Sequence, residues 1–195
     1  MASLLLTGTR PKAKVLSNVC KAIINLFDHS FNAKLLWRKK TGHSMKSHSN
    51  TRWWSNWEVL KQVSNYFGDV LQFLEENVNL SYATRRNLLD IFENPQDLQD
   101  LLLKLAAVVD AGIHFVKSTY SLEGDSPLIF SSCEHLSAVA QAVGVGYYPC
   151  ILAFAREIAN GDAALQARTI DQAKACIQAV LNFFQENFIS VQFRN

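Results

Sequence analysis

An all-α, multi-helix bundle is the fold class this sequence predicts, and three observations carry the prediction. Apolar residues make up 49% of the 195 residues, enough to fill a core rather than leave a disordered segment. Only four Pro and eight Gly are present, which is lean for a turn-rich all-β protein and leaves room for long helices. Apolar side chains recur at helical spacing in most long segments. No alternating pattern is long enough for a strand; Phe188 to Phe193 comes nearest.

The elements follow in chain order. Leu16, Val19, Cys20, Ile23 and Phe27 fall on one helical face. Residues 42–50 are polar and patternless, and read as a mobile loop that separates the basic helices from the body. A second stripe runs through Trp57, Leu60, Val63, Phe67, Val70, Leu71 and Leu74. Ser55 and Glu58 stand just ahead of it at the S-x-x-E spacing of a capping box. Asn94 as N-cap and Pro95 at the first helical position open a third stripe: Leu98, Leu101, Leu102, Leu105, Val109, Gly112, Ile113 and Val116. Ser131 and Glu134 repeat the capping-box spacing before a fourth, Leu136, Val139, Ala140 and Val143. The last holds Ile170, Ala173, Ile177, Val180, Leu181, Phe184 and Phe188.

Breaks are expected at Gly42, at residues 123–127, at Gly144-Val145-Gly146 and at Asn160-Gly161-Asp162. The sum is about seven helices in one bundle-like body. It divides into a basic arm, residues 1–50, with one or two helices and a polar loop, and an all-helical body, residues 51–195.

Charge is distributed unevenly. Residues 1–52 hold ten Lys or Arg against Asp28 alone, a net +9, while residues 53–195 carry a net −7. A basic arm fits a polyanion-binding end, because Lys and Arg displace counterions from phosphates. A solvated tail fits the same composition.

No targeting segment is expected. Leu4-Leu5-Leu6 is too short for a signal and has no basic residue before it. The apolar run from Leu101 to Val116 is broken by Lys104, Asp110 and His114, which excludes a membrane span. The expected compartment is nuclear or cytoplasmic. Cys20, Cys133, Cys150 and Cys176 are widely spaced and read as buried, reduced thiols. Asn79-Leu80-Ser81 is then a chance match to a glycosylation acceptor.

Motifs of catalysis are missing. There is no Walker loop, no GxGxxG and no GxSxG elbow. Cys133 and His135, two positions apart on a helix, point to different sides, and a structural zinc site needs four ordered ligands. His43 and His48 have no carboxylate or Cys nearby in sequence. Glu123 and Asp125 flank Gly124 as turn residues rather than as a metal pair. No cofactor, metal or small-molecule substrate is expected.

Thr51-Arg52-Trp53-Trp54-Ser55-Asn56-Trp57-Glu58 is the most suggestive stretch. Trp54 and Trp57 are three apart and share a helix face, as core residues do. Trp53 precedes the expected cap, at the exposed mouth of the helix, where Arg52 could bond a phosphate and Trp53 could stack an unpaired base. A hydrophobic staple with a snorkelling Arg is the other reading.

Thr51-Arg52-Trp53-Trp54-Ser55 resembles the T-R-W-x-S motif of hAT-superfamily transposases and the host proteins derived from them. About seventy residues on, residues 120–129, Tyr-Ser-Leu-Glu-Gly-Asp-Ser-Pro-Leu-Ile, resemble the LEGD-x-PL segment of that group. Asp28-His29-Ser30 ahead of a basic stretch agrees as well, so the resemblance covers most of residues 15–145. It implies the all-helical insertion that interrupts the family's RNase H-like core, with Arg52 and Trp53 handling a flipped base. It also implies that the catalytic acids lie in segments this chain lacks, so no enzymatic activity is expected.

Two functional readings follow. One is a non-catalytic, transposase-derived helical protein that binds DNA through Arg38, Lys39, Lys40, Lys46, Arg52 and Trp53. The other is a protein–protein or self-association module without nucleic-acid binding.

Overall fold

The structure is a computed structural model, which describes residues 13–47, 54–77, 79–80, 82–122, 137–139, 141–143 and 148–184. Every regular element among these residues is an α-helix, and none is a strand. The helices are α1 (Ala13–Asp28), α2 (Phe31–Thr41), α3 (Trp54–Asn65), α4 (Phe67–Glu76), α5 (Tyr82–Glu93), α6 (Pro95–Leu122), α7 (Pro149–Ala159) and α8 (Ala163–Phe184). Residues 137–139 and 141–143 are helical as well. None of the described helices is long and apolar enough to cross a membrane.

Contacts divide the chain into two units, Met1–Leu105 and Ala106–Asn195. The seam expected at residue 50 lies inside the first unit, where α1 packs against α2, α3 and α5.

Helix α1 forms as its stripe predicts: Leu16, Val19, Cys20, Ile23 and Phe27 are all at most 3% exposed. Near its end, Phe27 stacks on Phe73 of α4 at 5.5 Å and meets Trp37 of α2 edge-on at 5.6 Å. Trp37 meets Phe73 edge-on at the same distance. These three rings centre the first unit's core, and offset and edge-to-face pairs of this kind add roughly 1 kcal/mol each beyond area burial. The indole N–H of Trp37 is buried with no acceptor among the described residues, so this packing outweighs a desolvated donor.

The second stripe is two helices rather than one. The chain departs from helical dihedrals at Tyr66 (φ −123°, ψ 31°). Backbone bonds run on across the kink, from Tyr66 N–H to Gln62 C=O and from Val70 N–H to Tyr66 C=O. The Tyr66 ring meets Trp37 edge-on at 6.4 Å and lies 5.4 Å from His43. Helical periodicity therefore survives while the axis bends. Ser55 does not cap this segment: α3 already runs from Trp54, so Ser55 sits in its first turn and is buried.

Asn94 caps α6 as expected, its Oδ1 accepting from Gln96 N–H (3.1 Å) and Asp97 N–H (3.4 Å). The α6 stripe is wider than predicted. Every residue from Leu105 to Gly112 is buried, so this stretch is covered all round rather than on one face. Its Asp110 is only 4% exposed.

In the second unit α7 and α8 form a helical hairpin. The break predicted at residues 160–162 is its turn. Asn160 (φ 43°) and Gly161 (φ 95°) take left-handed backbone, and Asp162 Oδ1 caps α8 by accepting from Ala164 and Leu165 N–H. Small buried residues, Ala155, Ala159 and Ala173, allow the two helices to approach closely.

The cysteine expectation holds only in part. Cys20 is buried, but Cys150 is half-buried and Cys176 is exposed; no disulfide joins the three. Cys133, the Ser131–Glu134 box, the breaks at 123–127 and 144–146, and Phe188 to Phe193 lie outside the described residues.

Candidate nucleic-acid interface

Helix α2 is built by local signals. Ser30 Oγ accepts from Ala33 N–H at 3.1 Å and starts it. Gly42, at φ +75°, ends it and donates its N–H to Arg38 C=O at 2.9 Å. Arg38, Lys39 and Lys40 fill the last turn, where the helix dipole is negative and cations are favoured. Thr41 Oγ1 donates to Trp37 C=O and accepts from His43 N–H.

The segment after α2, expected to be a mobile loop, is fastened at residues 44–46. The Gln62 side chain donates to Ser44 C=O at 2.9 Å and accepts from Lys46 N–H at 2.6 Å. Between them Met45 is 6% exposed. One carboxamide satisfies two backbone groups, and an apolar side chain anchors what sequence polarity marked as free. Residues 48–50 lie outside the described residues.

The candidate cations separate by environment. Arg38, Lys39 and Lys46 are exposed, and among the described residues no carboxylate pairs with them. Lys40 is different: its ammonium lies 2.9 Å from Glu76 of α4, with its side chain 18% exposed, so its charge is committed within the unit. Lys34 pairs with Asp28 at 3.7 Å. Lys61 of α3 sits 5.0 Å over the ring of Trp57, which is buried as expected. Arg52 and Trp53 lie outside the described residues.

Two residues that sequence reasoning missed stand beside these cations. Phe31 is 82% exposed and Leu35 54%. The buried residues of α2 are Ala33 and Trp37. At about 100° per residue, Phe31 and Leu35 fall roughly on the opposite side from that buried pair, and Arg38 falls within about 60° of both. The signal was present in the i, i+4 spacing of both pairs. It was obscured because α2 carries apolar residues on two faces.

Elsewhere in the first unit, a cleft of about 430 Å³ is lined by Leu71, Glu75, Arg85, Leu89 and Glu93 among others. Its charges are largely used internally. Arg85 Nε donates to Leu74 C=O at 2.6 Å, and Arg86 pairs with Asp90 at 2.8 Å and Glu93 at 3.8 Å. Among the described residues no three His, Cys, Asp or Glu come together as a metal site.

In the second unit the carboxylate of Asp110 accepts from Cys150 N–H (3.2 Å) and Ile151 N–H (2.9 Å), in the first turn of α7. Nearby, burial lowers the pKa of His114, helped by Lys117 and opposed by Asp110. Burial, then the charge of Asp110, raises that of Tyr148. This is a helix-capping arrangement.

The chain matches no protein-family model, no curated protein and no solved structure.

Proposed function

We propose that this chain is a non-catalytic nucleic-acid-binding protein whose contact surface is the basic face of its first unit. The observation that carries the reading is the contrast within one helix turn. Lys40 is neutralised by Glu76, whereas Arg38 and Lys39 beside it keep their charge for solvent. Lys46 adds a third open cation on a segment held in place by Gln62. The first unit carries fourteen Lys and Arg against nine Asp and Glu, the second five against eight, so the polyanion-attracting charge is concentrated in the first.

The sequence resemblance to hAT-superfamily transposases supports the same reading and adds Arg52 and Trp53 as contact residues. In that group the Arg-Trp motif lies in a helical region that handles nucleic acid. Nuclear residence fits this reading.

Fluorescence anisotropy with labelled hairpin and single-stranded DNA, over a series of salt concentrations, tests the proposal. Binding is expected to weaken steeply as salt rises. Replacing Arg38, Lys39 and Lys46 with Gln lowers the slope of log K against log salt by roughly two units, at about 0.7–0.9 per lost phosphate contact. No binding at low ionic strength, or a slope untouched by the triple replacement, sinks the reading.

A further inference from the structure

We infer that the solvent face of α2 is a single-strand contact strip, with Phe31 stacking an unpaired base and Arg38 and Lys39 holding phosphates further along the same strand. The inference rests on the nucleic-acid reading above and gives it a substrate class.

Three observations carry it. Phe31 is 82% exposed although folding ordinarily buries so large a ring, and it lies on a helix fastened at both ends by Ser30 and Gly42. The exposed apolar residues and the unpaired cations are on the same face: Phe31, Leu35 and Arg38 fall within about 60° of arc, with Lys39 roughly 40° beyond. Phe31 and Arg38 are about 10 Å apart along the axis, roughly three nucleotides at duplex spacing.

That mixture selects among occupants. A helix that lies on a membrane segregates its cations to the face opposite the apolar one. Here they share the face. A duplex hides the flat surfaces of its bases within the stack, so an exposed Phe on the flank of a rigid helix gains nothing from it. A single strand offers open base faces and a flexible backbone, and aromatic stacking beside a cationic track is how such strands are held without sequence preference. The geometry thus places an aromatic platform and its phosphate clamps on one helix.

The test uses the full chain and labelled oligothymidine, a blunt duplex of equal length, and vesicles of mixed phosphatidylcholine and phosphatidylserine. Phe31→Ala is expected to weaken oligothymidine binding by roughly 5- to 100-fold with an unchanged salt slope, while Phe31→Tyr keeps the affinity. Duplex binding is expected to be weaker than single-strand binding and insensitive to Phe31→Ala. Because the ring is exposed, both variants should keep the helical circular dichroism of the parent. Oligothymidine binding unaffected by Phe31→Ala overturns the strip while leaving electrostatic binding intact. Tighter binding to vesicles, or self-association that Phe31→Ala abolishes, also overturns it, assigning the face to a membrane or to a second copy. Failure of the parent to bind any oligonucleotide removes the underlying reading instead.

Discussion

Cys20 and Cys176 show how far residue type alone falls short of residue behaviour. No disulfide joins the two, one enclosed in the apolar stripe of α1 and the other open to solvent on α8. Burial pushes the Cys20 thiol from 9.0 up to about 12, with Lys21 opposing. Only the thiolate is nucleophilic, so Cys20 is inert while folded. Mass mapping after brief iodoacetamide treatment near pH 8 is expected to find Cys176 modified and Cys20 protected until denaturant is added. The sign of the linkage follows from the raised value. Between about pH 9 and pH 12 the folded chain holds a proton that the unfolded chain releases, so this contribution to stability is present below pH 9 and fades as pH rises. The stability gap between the parent and Cys20→Ala should therefore narrow above pH 9; a gap independent of pH would count against it. The candidate site makes the same point. Nothing in the run Arg38-Lys39-Lys40 distinguishes the third residue, whose partner Glu76 is 36 positions away.

At the scale of elements, the most consequential contact is one that periodicity could not suggest. Asp110 reads in the sequence as a charge interrupting an apolar run. In the fold it caps another helix, its two carboxylate oxygens meeting the N–H groups of Cys150 and Ile151 some 40 residues on. The α7 N-cap residue, Tyr148, supplies no side-chain cap of its own, and Pro149 offers no N–H at the next position. A buried carboxylate at a helix amino end gains from orphan donors and from the dipole together. Asp110→Ala is expected to cost roughly 2–3 kcal/mol, since it leaves buried N–H groups unpaired. Asp110→Asn, which keeps an acceptor, should cost less. Chemical denaturation followed by circular dichroism ranks the two; equal stability of Asp110→Ala and the parent would remove Asp110 as the cap. Elsewhere, element ends were legible where the signal was local. Asn94, Gly42 and Asn160-Gly161-Asp162 all act at the ends assigned to them, because caps and left-handed turns depend on a few adjacent residues. Ser55 was misread because the S-x-x-E spacing also occurs inside a helix: α3 already includes Trp54, and Ser55 is buried in its first turn.

On the scale of the whole molecule, charge and fold divide the chain in different places. Composition draws a line near residue 50, where basic residues thin out; packing draws it at Leu105/Ala106. The basic helices are thus built into the first unit through Phe27, Trp37 and the Lys40–Glu76 pair rather than trailing from it. Binding should follow the unit. Photo-crosslinking the intact protein to bromouridine-substituted oligonucleotide, then mapping peptides, is expected to give crosslinks concentrated in residues 1–105. Crosslinks mainly in residues 106–195 would place the interface in the acidic unit and contradict the proposal.

The sequence by itself determined the all-α class, the apolar face of α1, the break at Gly42, the cap at Asn94, and the basic character of residues 1–52. Each depends on spacing or composition within a turn or two of chain. The tertiary structure decided which cations stay open, which thiols are enclosed and which exposed, that residues 44–46 are tied down, and that Phe31 and Leu35 face solvent. Those outcomes depend on partners distant in sequence, since a side chain's charge and exposure are settled by what packs against it, and periodicity reports only which residues share a face.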